Sequence, residues 1–203
     1  MNKVTVTKNF INELEKKSLN SEVNVIKSLS SKTSSFIDKL SNSTTDTILN
    51  FLENKTNKIR IRDLDSELYQ YENLFLFRSN GKKAFDLEQN LKFLENLNIS
   101  PKYVKYFQLG KEDFLTVLEG GKDDVIPYRQ VVGRVLPEQK NTLISKLNKM
   151  LEKGFINKEV FANRDLLYVD KNNRLIIADW SNLSFVEGEE QARLKRTLAS
   201  WKI

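Results

Sequence analysis

Five polar residues in the last third of the chain have side chains suited to metal and phosphate chemistry. Two aspartates and an asparagine offer the oxygen atoms that a hard cation such as Mg²⁺ prefers as ligands. A glutamate can accept a proton within hydrogen-bond reach, and a lysine can steady the charge of a phosphate group. The five are Asp165, Asp179, Asn163, Glu159 and Lys158. Aspartate and asparagine also commonly begin turns, so residue type alone leaves both interpretations open.

The residue types that are absent narrow the chemistry. The chain has no cysteine, which excludes disulfides, thiolate nucleophiles and iron–sulfur clusters. It has no histidine either, which excludes Ser-His-Asp hydrolysis and every zinc site built on imidazole or thiolate ligands. What remains is chemistry carried by carboxylates, hydroxyls, amines and guanidinium groups.

The composition is that of an ordinary globular domain. With 203 residues, of which 39% are hydrophobic and 30% charged, the chain can bury a sizeable core. It contains no run of about 18 or more apolar residues, so we expect no membrane-spanning helix. Acids and lysines interrupt the N-terminal segment, and for that reason we expect no cleaved secretory signal peptide.

The net charge of +6 comes from 33 basic and 27 acidic residues. A basic surface can attract nucleic acid, an anionic membrane or an acidic protein. Here the lysines are scattered among acids and asparagines, and neither an arginine-rich helix nor the aromatic motif of an RNA-binding sheet is present. We therefore do not expect specific nucleic-acid binding.

The first 56 residues are rich in Ser, Thr, Asn and Lys and contain neither glycine nor proline. Apolar pairs at helical spacing predict three or four short helices; the pairs are Ile11 with Leu14, Val25 with Leu29, Phe36 with Leu40, and Ile48 with Leu52. The residues that could cap these helices are Thr7, Ser21, Thr33 and either Thr44 or Thr45.

From residue 58 the pattern is typical of strands. Alternating polar and apolar residues predict strands at 58–62 and 67–71, and an apolar run predicts a third at 74–77, before a turn at 79–81. A helix is predicted over 85–96, and 104–109 with 114–118 predict a hairpin. The residues expected on the buried side of the helix are Phe85, Leu87, Leu91, Leu94 and Leu97.

The remaining residues predict a helix at 137–153, an irregular polar loop, strands at 166–169 and 175–178, and a terminal helix at 189–201. Gly154 follows the first of these helices, and Asp179 follows the second strand. The terminal helix is expected to turn Ala192, Leu194, Leu198 and Trp201 inward.

This order of elements, together with three short motifs, resembles the protein-kinase-like fold. LTVLEGG (115–121) looks like the last strand of the N-lobe running into the hinge, LEKGFI (151–156) looks like the approach to the catalytic loop, and IIADW (176–180) looks like the strand before the magnesium-binding acid. The resemblance covers residues 58–186. It implies an α+β, minimal two-lobed fold made of an N-terminal helical extension (1–56), a β-rich N-lobe (57–121) and a reduced helical C-lobe (122–203).

The resemblance also implies roles for the polar residues. Asp179 matches the acid that binds Mg²⁺, and Asp165 or Asn163 lies where a second cation ligand belongs. Family members carry His, any residue and Asp in the catalytic loop, whereas Asn157, Lys158 and Glu159 stand there in this chain. Glu159 would then be the catalytic base, and Lys158 would steady the transferred phosphate. Asn163 and Asp165 could instead simply turn the chain into the following strand.

The nucleotide-binding half departs further from the family. No glycine precedes Gly81, so the glycine-rich loop that covers the phosphates is absent. The phosphate-binding cation would be Arg78 or Lys82, with Glu88 as its partner on the following helix. Glu119 opens the hinge, where backbone groups hold the adenine. The alternative is that these residues form an exposed basic loop and a solvated helix face.

Three functions follow from this interpretation. The first is an Mg²⁺- and ATP-dependent phosphotransferase that acts on a protein, similar to the minimal kinase-like effectors of pathogenic bacteria, some of which need an activating protein partner. The second is a kinase-like binding module, or pseudokinase, whose catalysis has decayed. The third is a helical interaction protein. The resemblance implies a cytoplasmic location, or delivery into a host cell without a cleaved signal peptide.

Overall fold

The computed structural model describes residues 29–61, 65–94, 97–121 and 123–201. The chain divides into two units, Met1–Leu40 and Ser41–Ile203. In the first, helix α1 spans Ser31–Ser41, and the side-chain oxygen of Ser30 accepts a hydrogen bond from the Thr33 backbone at 3.2 Å. Ser30 therefore caps this helix, and the cap predicted at Thr33 is wrong. The predicted caps Thr7 and Ser21 lie outside the described residues.

The second unit begins with helix α2 (Thr45–Lys55). The side chain of Thr44 accepts from the backbone N–H of Thr47, which confirms the predicted cap and satisfies one of the unpaired donors of the first turn. Ile48 and Leu52, four residues apart, are both buried. This is the apolar face that the helical spacing predicted.

A five-stranded antiparallel sheet follows, in the order β1-β2-β3-β5-β4. Its central strands are buried on both faces, which explains why each contains a run of mainly apolar residues in the sequence. The predicted strands and the hairpin are confirmed with shifted ends. The strands are β1 (Asn57–Ile59), β2 (Glu67–Tyr71), β3 (Leu74–Ser79), β4 (Lys102–Gln108) and β5 (Phe114–Glu119).

Helix α3 (Gly81–Leu94) lies between β3 and β4 in the chain and begins earlier than the sequence predicted. Asn80 accounts for the early start, because its side-chain oxygen accepts the backbone N–H of Lys83 at 3.0 Å. The Ser-Asn-Gly segment is therefore a helix cap rather than a free turn. Of the predicted apolar face, the fully buried residues are Leu87, Leu91 and Leu94, whereas Phe85 and Leu97 are half-buried.

The rest of the chain is built from helices and two small sheets. One sheet has the order β6-β8-β9 and the other pairs β10 with β7. The strands are β6 (Ile126–Pro127), β7 (Phe155–Asn157), β8 (Leu167–Val169), β9 (Leu175–Ile177) and β10 (Leu183–Phe185). The helices are α4 (Tyr128–Val131), α5 (Pro137–Glu152), α6 (Glu159–Ala162) and α7 (Gly188–Ala199).

The terminal helix differs from its prediction in one buried position. Leu194 and Leu198 are buried as expected, but Ala192 is exposed. Trp201 lies just beyond the helix and stacks on Phe161, with ring centroids 5.6 Å apart. The large side chains thus anchor α7, and the small alanine that precedes them is left at the surface.

The second unit shares one apolar core between the five-stranded sheet and the helices that follow it. Trp180 is its largest fully buried side chain. The architecture is mixed α+β: helices α1 and α2 precede the antiparallel sheet in the chain, α3 lies between its strands, and the other helices follow it. Within the described residues no helix has the length and apolar character needed to cross a membrane.

Candidate functional site

The β8–β9 hairpin brings Asp165 and Asp179 to the same end of one ladder. Leu167 pairs with Ile177, and one step further the Ala178 N–H donates to the carbonyl of Leu166 at 2.9 Å. The ladder ends there, because Arg164–Leu166 form a 3₁₀ turn. Asp165 and Asp179 therefore flank the same end of the hairpin, one before β8 and the other after β9.

Asp179 is buried, with 2% of its surface exposed, and its carboxylate is ordered by the residue two positions later. Oδ1 accepts the Ser181 backbone N–H at 2.9 Å and lies 2.7 Å from the Ser181 hydroxyl, which donates to it. This is the side-chain turn by which an aspartate often begins a loop. Asp179 therefore has a turn function in addition to any role in binding a cation.

Asn157 joins the two sequence segments that carry the candidate catalytic residues. It is the last residue of β7 and is fully buried. Its side-chain amide donates to the backbone carbonyl of Asp179, and its side-chain oxygen accepts the backbone N–H of Glu159 at 3.0 Å. One buried side chain thus fixes the start of the loop that carries Glu159 against the acid after β9.

Glu159 and Lys158 have different surroundings. Glu159 is the first residue of α6 and is half-buried next to the Asn157 amide. Lys158 is more exposed, and its ammonium nitrogen lies 2.7 Å from a carboxylate oxygen of Glu190 on α7. Lys158 therefore links the loop to the terminal helix.

Asn163 caps a short 3₁₀ turn (Arg164–Leu166), and Asp165 is the middle residue of that turn. The Asn163 oxygen accepts the Asp165 backbone N–H at 3.0 Å, and its amide nitrogen donates to the carbonyl of Arg60 at 2.7 Å. The carboxylate of Asp165 accepts from the Arg129 guanidinium at 3.1 Å. Asn163 therefore acts as a cap, while the Asp165 carboxylate is engaged by Arg129.

The candidate metal ligands offer the oxygen donors that suit Mg²⁺. In the part of the chain that the structure describes, however, no three Asp or Glu side chains come close enough together to hold a metal ion. A cation bound near the end of the hairpin would need donors from a phosphate or from water as well as from Asp165 and Asp179, which is the usual situation for Mg²⁺.

Arg78 is engaged within the sheet. Its guanidinium makes three hydrogen bonds to the Asp113 carboxylate, the shortest at 2.8 Å, and a further one to Glu67 at 3.1 Å. Hydrogen bonding to Asp113 and the nearby negative charges raise the pKa of Arg78. A guanidinium held by two carboxylates has little donor capacity left for a phosphate.

The other predicted nucleotide-binding side chains on α3 pair within their own helix. Glu88 accepts from Lys92 at 2.6 Å, and Lys82 pairs with Asp86 at 2.7 Å. In this structure Glu88 thus pairs with Lys92, and Lys82 pairs with Asp86. The i,i+4 spacing along the helix accounts for both pairs.

In the segment after β5, backbone groups form hydrogen bonds to other residues of the chain. Glu119 is buried at the end of the strand. The Gly120 N–H donates to the Asn73 carbonyl at 2.7 Å, and the Gly120 carbonyl accepts from Arg174 at 2.8 Å. The Gly121 carbonyl accepts the Asn73 amide at 2.9 Å. Three of the polar groups that a hinge would offer to an adenine are therefore already bonded.

A cavity of about 530 Å³ lies beside Asp165, a size within the range of small-molecule sites. Its lining includes one acid and three basic residues; the charged members are Asp165, Lys58, Arg60 and Arg129. Tyr168 also lines it, and burial raises the pKa of Tyr168 to about 12, so this phenol is neutral at physiological pH. The cavity is therefore a net cationic, polar space.

The sequence interpretation did not assign the cations of this cavity to the site. The signal for two of them was present, because Lys58 and Arg60 alternate with Ile59 and therefore share one face of a strand. Nothing in the sequence indicated Arg129, which reaches Asp165 across 36 positions of chain. Its contribution depends on the pairing of β6 with β8. These strands are too short to show a recognisable pattern in the sequence.

No protein-family model matches the chain, and no curated protein matches its sequence. Among solved structures, a medium-resolution structure of the bifunctional kinase-methyltransferase WbdD aligns with 61% of this chain and 31% of its own, at 14% identity and a TM-score of 0.41. A co-crystal structure of WbdD with the kinase inhibitor LY294002 aligns with 66% of this chain and 35% of its own, at 12% identity and a TM-score of 0.43. The chain therefore spans about a third of the length of these structures.

Proposed function

We propose that the chain is a minimal kinase-like phosphotransferase that uses Mg²⁺ and ATP and acts on a protein. The observation that carries this proposal is the pair of hydrogen bonds made by Asn157. They tie the residue we assign as base, Glu159, to the residue we assign as cation ligand, Asp179, through one buried amide. A transferase needs these two functions in one fixed arrangement, because rate depends steeply on position.

The roles follow from the chemistry of the side chains. Glu159 would accept the proton of the substrate hydroxyl, and its fixed backbone limits where its carboxylate can reach. Asp179 and Asp165 would hold the cation through their oxygen atoms. A bound Mg²⁺ would offset the negative charge of the phosphates. The cationic cavity beside Asp165, rather than Arg78, has the charge to receive those phosphates.

A specific observation favours a second candidate, a kinase-like binding module without catalysis. Arg78 is held by Asp113 and Glu67, and the backbone of Gly120 and Gly121 is already bonded within the chain. A nucleotide that binds through the usual contacts of the family would have to break these bonds. In this alternative the chain engages a protein partner and the polar residues serve the fold.

The resemblance to bacterial effectors extends the proposal to a protein substrate or an activating partner, and to a cytoplasmic or host-cell location. The three-part division of the chain at residues 56 and 121 belongs to the same proposal. It rests on the order of elements, in which a β-rich segment precedes a mainly helical one.

Phosphate transfer distinguishes the two candidates. The chain would be incubated with Mg²⁺ and γ-labelled ATP, with heat-treated cell extract as the source of acceptor proteins. The matched variants are Asp179→Asn, which keeps an oxygen that can accept from Ser181, and Asp86→Asn, which changes an exposed helical aspartate. We expect labelled protein with wild type and Asp86→Asn but not with Asp179→Asn. If wild type and Asp86→Asn transferred no more label than Asp179→Asn, the result would contradict the transferase and favour the binding module.

A further inference from the structure

The cavity beside Asp165 contains the only arrangement we identify in the described residues that combines several cations with a candidate cation ligand. Lys58 and Arg60 come from β1 and its C-terminal end, and Arg129 comes from α4. The lining carries one negative charge, Asp165, and Lys58 is paired with Glu67 outside the lining, so the arginines supply the excess of positive charge. A concave surface with an excess of positive charge concentrates anions, and the guanidinium group binds phosphate oxygens through paired donors.

One cation of this cavity, Arg129, is held more loosely than Arg78. The Arg129–Asp165 pair is a single contact of 3.1 Å between side chains that are 68% and 45% exposed. An ion pair of this kind contributes little to stability, so a ligand can replace it at small cost. Arg78, by contrast, makes four hydrogen bonds to two carboxylates and is only 32% exposed.

Asn163 holds the two sides of the cavity in register. Its amide nitrogen bonds the backbone of Arg60, and its oxygen bonds the backbone of Asp165. Arg60, which follows β1, is thereby fixed next to the 3₁₀ turn that carries Asp165. This is a positioning function for Asn163 that neither the turn nor the metal-ligand interpretation of the sequence included.

We propose that this cavity binds the phosphate groups of a nucleotide, with Arg60 and Arg129 as the direct contacts. In the empty cavity Arg129 competes with a divalent cation for Asp165. When phosphate binds, Arg129 exchanges Asp165 for the phosphate oxygens and leaves the carboxylate to the cation. The proposal rests on the proposed function, since it names the residues that grip the phosphates of that site. It also assigns a role to the exposed Arg129–Asp165 pair: while the cavity is empty, the charge of Arg129 offsets the negative charge of Asp165.

The test uses two probes in the absence of ATP. Inorganic pyrophosphate, without divalent cations, would be titrated calorimetrically into wild type, Arg60→Gln, Arg129→Gln and the control Arg134→Gln. Arg134 is exposed and does not line the cavity, so the control removes the same charge from the same region. Mn²⁺ alone would be titrated by electron paramagnetic resonance into wild type, Arg129→Gln and Asp165→Asn. Thermal melting would confirm that each variant is folded.

We expect pyrophosphate affinity to fall about tenfold or more in Arg60→Gln and Arg129→Gln, and to stay within about twofold of wild type in Arg134→Gln. We expect Arg129→Gln to bind Mn²⁺ severalfold more tightly than wild type, and Asp165→Asn to lose that binding. Equal losses in all three arginine variants would show a general charge effect and overturn the proposal, as would failure of the wild type to bind pyrophosphate.

The outcomes separate this proposal from the proposed function. Pyrophosphate binding that depends on Arg60 and Arg129, in a chain that transfers no phosphate, would support the phosphate-binding cavity and contradict the proposed phosphotransferase. Phosphate transfer that is unchanged in Arg60→Gln and Arg129→Gln would support the phosphotransferase and contradict the phosphate-binding cavity.

Discussion

The side chain of Asn157 donates a hydrogen bond to the backbone carbonyl of Asp179, 22 positions later in the chain. The same side chain accepts from the backbone N–H of Glu159, so one buried amide bonds two segments that are distant in sequence. An asparagine can make both bonds because it has a donor and an acceptor on one planar group. The relationship makes the loop before α6 and the turn after β9 a single structural unit.

Replacing Asn157 by alanine should therefore destabilise the protein by about 1–3 kcal/mol, because a buried carbonyl and a buried N–H lose their partner. Chemical unfolding in urea measures this change. Asn157→Asp is the informative companion: it keeps the acceptor for Glu159 but loses the donor to Asp179, so it separates the two bonds. A change below about 0.5 kcal/mol for Asn157→Ala would show that these bonds do not hold the loop.

The Arg78–Asp113 pair should make a measurable contribution to the stability of the sheet. It joins β3 to the segment just before β5 through several charge-assisted bonds, which are stronger than a single exposed contact. A double-mutant cycle with Arg78→Met and Asp113→Asn should give a coupling energy of about 1–2 kcal/mol, since the pair is partly exposed. Additive effects of the two substitutions would contradict the structural role assigned to Arg78.

Protonation of Glu67 should lower the free energy of unfolding in acid. Burial alone would raise the pKa of Glu67, but hydrogen bonds from Lys58 and Tyr69 and the charges of Lys58 and Arg78 outweigh burial and lower it below 4.5. A carboxyl with a lowered pKa in the folded state adds stability that is fully present above its unfolded value of 4.5 and is lost as pH falls through the folded value. Urea midpoints measured from about pH 6 to pH 3 should fall more steeply for wild type than for Glu67→Gln. Parallel curves would exclude this contribution.

Gly120 should not tolerate a side chain. A methyl group there would lie 2.8 Å from the Phe75 ring and 3.1 Å from Val125. We expect Gly120→Ala to destabilise by about 1–3 kcal/mol, because both neighbours belong to a packed core. Gly133→Ala is the control, since nothing lies within 4 Å of its added methyl group. Thermal or urea unfolding compares the two, and equal stability of both variants would contradict the close packing of this segment.

The central strands could be predicted from the sequence because their pattern of apolar residues fits a buried strand. The apolar run of β3 and the alternation of β2 are long enough to indicate strands without any tertiary information. The start of α3 was misplaced because Asn80 and Gly81 have the same residue types as a turn. Only the bond from Lys83 to the Asn80 side chain distinguishes a cap from a turn, and that bond belongs to the folded chain.

The candidate site was less predictable than the fold. A motif could assign Asp179 a role, but the partners of Arg78 and Asp165 lie 35 and 36 positions away in sequence. Those pairs depend on strand register and on the two-residue strand β6, which have no local signature. The cavity and its arginines therefore became visible only when separate segments were brought together.

The most direct test of the central claim is calorimetric titration of ATP into the 203-residue chain, with and without Mg²⁺. We expect ATP to bind more tightly with Mg²⁺ than without it, and we expect the binding with Mg²⁺ to weaken about tenfold or more in Asp179→Asn and to be retained in Asp86→Asn. Absence of binding under both conditions, or binding that is indifferent to Mg²⁺ and to Asp179→Asn, would contradict the claim.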